Sequence, residues 1–259
     1  GEGFGNERGV PGAGIWKSVD GGASWAQLPS TASGNFRWVN DLAIAPDGSS
    51  LLAATGSGVW RSANQGVSFN RVWTPTASTG ARSVAVEFHP SNAVHVVGHV
   101  TDYDYSIGSW FSTAMYSSNG GITWTQLGGG IKTSGYYDRI AFAWHAGYSG
   151  TGPGCVYAQK YIEANASTRL FRSVNGGASY SLVSTSTITG NQGWYDNCLW
   201  VDPSDVNANV ADDVVLCGGI DLYRSTNGGA TFSQISQWWQ WPLSAHADHH
   251  RIVSAPGFN

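Results

Sequence analysis

The chain alternates short apolar runs with polar turn segments, and most of the runs have the period-two pattern of half-buried β-strands. Five of these runs alternate apolar and polar residues, and most of them end in Pro, which is typical of a strand exit. They cover residues 40–46, 83–90, 138–145, 196–203 and 249–256. A second apolar run follows each of the first four, at residues 51–55, 93–98, 155–160 and 213–218. The pattern predicts an all-β fold of short antiparallel strands.

An octapeptide with the rule Ser, any residue, Asp or Asn, any residue, Gly, two residues, aromatic occurs five times. It begins as "SVDGGASW" at Ser18 and returns from Ser62, Ser117, Ser173 and Ser225. Successive starts are 44, 55, 56 and 52 residues apart, which is the length of a four-stranded propeller blade. Each copy lies between two strand-like runs, so we predict a hairpin turn; its resemblance to the Asp-box repeat, described below, implies that the turn joins the third and fourth strands of a blade.

The octapeptide is predicted to have a structural role. An Asp or Asn oxygen at its third position accepts hydrogen bonds from turn amides, and the Gly permits a backbone conformation that is costly to other residues. Four copies have Asn where the first has Asp20. A hydrogen-bond acceptor tolerates that exchange, whereas a catalytic carboxylate would not.

These turns resemble the Asp-box, or BNR, repeat of sialidases, family 74 glycoside hydrolases and sortilin-like receptors. With "NQGWYDN", "GGIDLYRSTNGG" and "AHADHHRIV", the chain is most similar to secreted bacterial BNR-repeat proteins often described as glycosyl hydrolases. The resemblance implies a β-propeller of four-stranded antiparallel blades, an extracellular or periplasmic location, and a glycan or protein ligand.

The blade count is uneven. Five predicted turns accompany only four complete blades, because residues 1–28 and 246–259 supply partial terminal blades. We expect residues 1–259 to form a single propeller domain. An open propeller would leave strand edges unpaired, so the chain is either a fragment of a longer propeller, which we favour, or a shortened ring in which the terminal strand joins the N-terminal half-blade.

Charge and composition narrow the function classes. The net charge is −4 and there is no run of Lys or Arg, which argues against nucleic acid as a partner. No apolar run approaches the length of a membrane span, so no membrane insertion is expected. Cys198 and Cys217 fall roughly opposite each other in a predicted hairpin and form either a cross-strand disulfide or two buried thiols, while Cys155 stays free.

Candidate chemistry lies at the rim opposite the octapeptide turns, where the inner strands begin. Asp138, Asp196 and Asp248 start three successive inner strands and are the candidate catalytic acids, because glycoside hydrolysis needs paired carboxylates. Aromatic rings cover the apolar faces of sugars, and the candidate substrate-binding residues are Tyr137, Arg139, Trp194, Tyr195, Trp239 and Trp241. The alternative is that these rings pack long loops onto the propeller.

The segment "HADHH" could hold a metal ion. In a strand, His246, Asp248 and His250 share one face and could bind zinc or another transition metal. A His–Asp hydrogen-bond network is the alternative, and no other cofactor is expected.

Two function classes remain. No "RIP" motif of a typical sialidase occurs, and a hydrolase of β-glucan or xyloglucan type fits the acidic and aromatic rim better. The other class is a non-catalytic propeller that binds a glycan or a protein. Two carboxylates within hydrolase range of each other beside exposed Trp would favour catalysis.

Overall fold

The computed structural model describes residues 10–78, 80–135 and 138–255. Two compact units divide the described chain: unit 1 lies within Gly1–Phe111 and Met115–Gln126, and unit 2 comprises Ser112–Ala114 and the rest from Leu127. Strands and turns make up both units, as the all-β prediction requires. Helical segments in the described ranges are three-residue 3₁₀ turns, and none of them has the length or apolar character needed to cross a membrane.

Unit 1 contains a half-blade, one four-stranded antiparallel sheet and most of a five-stranded sheet, four strands of which follow chain order. The half-blade pairs β1 (Trp16–Lys17) with β2 (Ala26–Gln27). The first full blade consists of β3 (Val39–Ile44), β4 (Leu51–Thr55), β5 (Gly58–Ser62) and β6 (Asn70–Trp73). The second consists of β7 (Arg82–His89), β8 (Asn92–Asp104), β9 (Ser109–Ser117) and β10 (Thr125–Gln126).

The short strand β11 (Thr133–Ser134) pairs with β9 and is the fifth strand of that sheet. Unit 2 contains two four-stranded antiparallel sheets. The third full blade consists of β12 (Arg139–His145), β13 (Cys155–Ile162), β14 (Ser167–Ser173) and β15 (Ser181–Ser186). The fourth consists of β16 (Cys198–Val201), β17 (Val215–Gly218), β18 (Leu222–Ser225) and β19 (Ser233–Gln234). The four complete blades and the N-terminal half-blade are therefore confirmed.

The predicted C-terminal strand at 249–256 is wrong: residues 245–255 contain no strand. Asp248, directly before the predicted strand, has a φ of 72°, in the left-handed region, so the backbone is not extended at the point where the strand would begin. The segment bonds to the fourth blade through His249 N and Gly219 O, 2.9 Å apart, and through Trp200 Nε1, which donates to Ser254 Oγ at 2.8 Å. It is an extended tether, and the partial terminal blade expected here is absent from residues 245–255.

Apolar faces of neighbouring blades pack against each other inside each unit. In unit 1, Leu52 and Val59 of the first full blade form one cluster with Val96 and Met115 of the second. In unit 2 the corresponding cluster joins residues of the third and fourth blades, namely Tyr157, Leu170, Leu199, Val215 and Cys217. Burial of each such Leu or Val stabilises the fold by about 1.5–3 kcal/mol.

The octapeptide turns have one hydrogen-bond pattern in all five copies. In the fourth copy Asn175 Oδ1 accepts from Ser173 Oγ at 2.8 Å and from Ser179 N at 3.0 Å, while Ser173 Oγ accepts from Gly177 N at 2.9 Å. Asp20, Asn64, Asn119 and Asn227 occupy the same place in the other copies. Each turn joins the third and fourth strands of its blade, as predicted.

The second glycine of the turn also allows the turn to pack closely against the preceding blade. Gly229 has a φ of 85°, and a Cβ on it would lie 2.1 Å from Leu170 Cδ2 of the third blade. Its carbonyl accepts from Ser184 Oγ of that blade at 2.7 Å. Gly121 has the same relation to Leu52 in unit 1, with a Cβ distance of 2.9 Å. The turn geometry that the copies share thus fixes the contact between successive blades within each unit.

The predicted opposition of Cys198 and Cys217 is wrong by one residue. Cys198 pairs with Gly218, and Cys217 pairs with Leu199. Neighbouring strand positions point to opposite faces of a sheet, so the two sulfur atoms lie on different faces. Both thiols, like that of Cys155, are free and buried, which confirms the buried-thiol alternative.

We predict that Asn175→Ala lowers the free energy of unfolding by about 1–2 kcal/mol, because Ser179 N loses its acceptor and Ser173 Oγ loses one. Asn175→Asp is the matched control, since Asp20 makes the same bonds in the first copy, and its effect should stay within about 0.5 kcal/mol. Chemical denaturation followed by circular dichroism measures both. Equal stability of Asn175→Ala and wild type would contradict the role assigned to the turn.

Candidate functional site

The loop before β16 carries Asp196 and is fixed to the third blade. Tyr195 N and Asp196 N both donate to Gln192 O, at 2.7 and 2.8 Å, which closes a tight turn. Thr189 Oγ1 lies 2.7 Å from Thr168 Oγ1 of β14. A Cβ on Gly193 would lie 2.4 Å from Tyr161 Cδ2, so only glycine allows the loop to approach that ring. The "NQGWYDN" segment therefore presents its side chains from a rigid support.

Asp196 and Asp248 form a carboxyl pair. Asp196 is completely buried, and within the described ranges neither of its oxygens receives a hydrogen bond from a donor group. The exposed Asp248 carboxyl is close enough to share a hydrogen bond with it when one of the two is protonated. Of the three candidate acids, the structure brings Asp196 and Asp248 together.

Burial and a like charge both act on Asp196. Loss of solvent disfavours its ionised form, and the neighbouring Asp248 carboxyl adds repulsion, so the pKa of Asp196 is raised to about 7; the Arg139 guanidinium opposes the shift. An ordinary aspartic acid would be ionised far below that pH. The pair therefore holds a proton up to neutral pH.

An imidazole and two aromatic rings continue the pair toward solvent. His250 Nε2 lies 3.9 Å from Asp196 Oδ1, and the side chain of His250 is 42% exposed. The Tyr195 ring meets the His250 ring edge-on, with centroids 4.5 Å apart and an interplanar angle of 83°. The exposed Trp194 ring follows at 5.5 Å from Tyr195. Trp194, Tyr195, His250 and Asp248 thus form one contiguous set, which we call the Asp248 surface.

Arg139 supports this surface from below. It is buried, and its Nη1 donates to the carbonyl oxygen of Tyr195. The backbone oxygen of Arg139 accepts from Asn197 Nδ2 at 3.1 Å, and Asn197 Oδ1 accepts from Gln159 Nε2 at 2.9 Å. Because the guanidinium donates to the loop backbone, Arg139 positions the loop, and its contact with substrate stays a prediction.

Asp138 lies in a different environment from the pair. Its Oδ1 accepts from Glu163 N at 2.9 Å, and its Oδ2 accepts from Thr133 Oγ1 and lies 3.9 Å from Lys160 Nζ. Buried Lys160 also donates to the backbone oxygens of Ser112 and Ile131, at 2.8 and 2.9 Å. Asp138 thus anchors backbone and a buried cation, and its contacts are not with Asp196 or Asp248.

The predicted metal set of His246, Asp248 and His250 is not assembled. Without a strand at 245–255 the side chains do not alternate, and the Asp248 and His250 side chains both face Asp196. His246 packs edge-on against Trp241, with centroids 6.5 Å apart. Within the described ranges, the groups whose ligand atoms do converge lie elsewhere in the fold.

Three further tryptophans extend the aromatic character of this region. Trp238, Trp239 and Trp241 are 48%, 59% and 70% exposed, and the 3₁₀ turn Trp238–Gln240 is held by Trp238 N, which donates to Asp221 Oδ1 at 2.9 Å. Trp241 packs against His246, which precedes Asp248 by two residues in the chain. Tyr137, the remaining predicted binding residue, lies outside the described residues.

Sequence reasoning missed one cluster, formed by His145, Cys155 and Asp213. His145 and Cys155 are directly opposite each other in the β12–β13 hairpin. The predicted first strand of this blade ends at His145 and the predicted second strand begins at Cys155, so a hairpin of the two strands places these residues near each other. Asp213 comes from the neighbouring blade and leaves no signal of its own in the sequence.

Comparison with known proteins supports the fold. No family model matches the sequence, and no curated protein matches it. A family 74 xyloglucanase from Xanthomonas campestris is 16% identical, with a TM-score of 0.54 over 84% of this chain and 34% of that chain. A Hadza microbial sialidase is 15% identical, with a TM-score of 0.49 over 86% of this chain and 52% of that chain.

A third structure, the α-L-arabinofuranosidase of Fusarium graminearum, is 12% identical, with a TM-score of 0.48 over 85% of this chain and 72% of that chain. This chain therefore spans about a third of the xyloglucanase and about half of the sialidase. With the observed four-stranded sheets, the likeness to the xyloglucanase shows that the fold class is a β-propeller.

The raised pKa of Asp196 predicts a stability effect. Between about pH 4 and pH 7 native Asp196 keeps a proton that the unfolded chain has lost, so its contribution lowers the free energy of unfolding as the pH rises through that window. In Asp196→Asn this contribution is absent. The stability of the variant relative to wild type should therefore increase by about 1–3 kcal/mol from pH 4 to pH 8.

Denaturation at several pH values measures this difference. Asp47→Asn is the control: hydrogen bonds from Ser49 lower the pKa of Asp47, so its contribution to stability changes mainly below about pH 4, and the relative stability of this variant should stay nearly constant from pH 4 to pH 8. A relative stability of Asp196→Asn that does not change with pH would show that Asp196 is ionised like an ordinary aspartate.

Proposed function

We propose that this chain is a secreted propeller that binds a neutral glycan at the Asp248 surface. The observation that carries the proposal is the contiguity of two solvent-accessible aromatic rings, an imidazole and a carboxylate on one rigid loop pair. Aromatic faces stack on the apolar faces of pyranose rings, and carboxylate and imidazole groups bond their hydroxyls. The fold is shared with a xyloglucanase. Because that enzyme is named for a carbohydrate substrate, we extend a carbohydrate ligand to this chain.

The exposed Trp238, Trp239 and Trp241 extend the proposed surface and supply room for several sugar units. Large apolar rings left in water beside a polar centre mark interaction sites more often than packing positions. Arg139 and Asn197 hold the loop from below, which lowers the entropy lost when a ligand binds. An extracellular or periplasmic location belongs to the same proposal.

Glycoside hydrolysis is the second candidate, and the raised pKa of Asp196 favours it. A carboxylic acid with a pKa of about 7 can donate a proton to a leaving oxygen at neutral pH. Hydrolases, however, separate their two carboxyl groups by about 5 Å or more, whereas the Asp248 carboxyl lies close enough to Asp196 to share a hydrogen bond once one of the two is protonated. Binding is therefore placed first, and catalysis would need the 245–250 segment to carry Asp248 away from Asp196.

Glycan-array or calorimetric binding with the full chain tests the proposal. We expect Trp194→Ala and Asp248→Asn each to weaken binding of the best glycan about 5- to 50-fold, since each removes one or two direct contacts worth about 1–2 kcal/mol. Trp25→Ala is the matched control: Trp25 is also exposed but belongs to an octapeptide turn. Unchanged affinity in both test variants, or no glycan bound at all, would overturn the proposal.

Release of reducing ends from the bound glycans separates the two candidates. Binding without release leaves the non-catalytic function. If release occurs, it should decline above pH 7, as Asp196 loses its proton, and it should vanish in Asp196→Asn. Release that persists in Asp196→Asn would place catalysis elsewhere.

A further inference from the structure

A buried cluster on unit 2, at the octapeptide end of its blades, has the chemistry of a metal centre. His145 is the last residue of β12, Cys155 is the first residue of β13, and Asp213 lies in the loop before β17. One ligand atom from each of these three side chains lies within 4.8 Å of the other two, and all three are buried. An imidazole, a thiol and a carboxylate are the donor types that zinc binds in proteins.

The orientation of the His145 ring decides which nitrogen can act as a ligand. Its Nε2 lies 3.0 Å from the backbone oxygen of Asp205. A carbonyl oxygen only accepts hydrogen bonds, so Nε2 carries a proton. In a neutral imidazole the lone pair is then on Nδ1, which has no hydrogen-bond partner and lies 3.3 Å from Asp213 Oδ2.

A lone pair facing a carboxylate in a buried place is unfavourable. Asp213 Oδ1 is likewise buried and without a partner among the described residues, although Oδ2 accepts from Tyr157 Oη at 2.6 Å. Something positive must lie between Nδ1 and the carboxylate: either a second proton on His145 or a cation. Ligand histidines commonly donate their other ring N–H to a backbone carbonyl, and His145 has that arrangement with Asp205.

We propose that His145 Nδ1, Cys155 Sγ and an Asp213 carboxylate oxygen bind a structural Zn²⁺ ion. The third group distinguishes this cluster from an ordinary His–Asp pair, because Cys155 adds a sulfur donor that converges with the imidazole and the carboxylate. A four-coordinate ion needs one more donor. The Asp205 carboxylate belongs to a separate group with Asp212 and Asp213 and lies 3.9 Å from the other ring nitrogen, His145 Nε2, so a water molecule would be the fourth donor.

Zinc binding at this cluster displaces two protons. Starting from imidazolium His145, the thiol of Cys155 and the carboxylate of Asp213, Zn²⁺ takes the places of the Nδ1 proton and the Sγ proton, and two protons are released to solvent. Because ions must enter a buried site, the metal is expected to bind during folding or through opening of the 205–213 loop.

The test refolds the full chain with Zn²⁺ or with Co²⁺, removes free metal, and measures bound metal per chain by elemental analysis. We expect about one ion per chain, and for Co²⁺ the absorption of a thiolate-to-metal charge transfer. Cys155→Ser should lose the charge-transfer band and weaken zinc binding at least about 100-fold in a chelator competition. Cys217→Ser is the matched control, because Cys217 is another free buried cysteine of unit 2 and lies outside the cluster.

Stability supplies the second measurement, since Cys155→Ser could also disturb packing. Zinc should raise the melting temperature of wild type and Cys217→Ser but not that of Cys155→Ser. Absence of bound metal in refolded wild type would overturn the proposal. So would zinc binding that survives Cys155→Ser and is lost in His250→Ala, because that result would place the ion at the C-terminal histidines.

Discussion

The five octapeptide turns depend on one interaction: a serine hydroxyl and an Asp or Asn oxygen together satisfy the amides of a chain that reverses within eight residues. Without those acceptors, turn amides such as the buried Gly177 N would lose their partners, and unpaired buried amides are costly. The tight reversal brings the second glycine against the preceding blade, as Gly229 does with Leu170. One side-chain hydrogen-bond pattern therefore sets both the turn and the contact between neighbouring blades within each unit.

The opposite end of each blade is free from this constraint, and its acids differ from one another. Asp102 accepts from three backbone amides, of which Thr76 N is the nearest outside its own strand at 2.8 Å. Asp221 accepts from Trp238 N, and Asp138 from Glu163 N. These acids hold loops in place. Asp196 has no such donor and faces a second carboxyl, so the same residue type has a different task at this position.

The sequence predicted the parts of the structure that arise from local repetition. Strand positions and turn sites followed from period-two runs and from the octapeptide, and both agree with the four sheets. The pairing of Asp196 with Asp248 was expected only in outline, from their positions at strand starts. The left-handed backbone of Asp248 gave no signal, because the apolar run after it resembles any other inner strand.

Other features depend on atoms brought together from distant positions. The anchoring of Asp138 comes from Lys160 and Thr133, which belong to other strands, and no local pattern marks it as structural. The separation of Cys198 from Cys217 rests on a register shift of one residue, which is finer than a hairpin drawn from turn residues. Burial of Arg139 under Tyr195 follows from the loop path and not from its neighbours in sequence.

The chemistry of the Asp248 surface depends on the buried Asp196 carboxyl, which lacks donors and shares a proton with Asp248. A carbon-13 NMR titration of the aspartate side-chain carboxyls tests this most directly, with the Asp196 signal assigned by its loss in Asp196→Asn. We expect that signal to titrate with a midpoint of about 7, and the midpoint to fall in Asp248→Asn. A midpoint for Asp196 near 4, the value of an ordinary aspartate, would contradict the account.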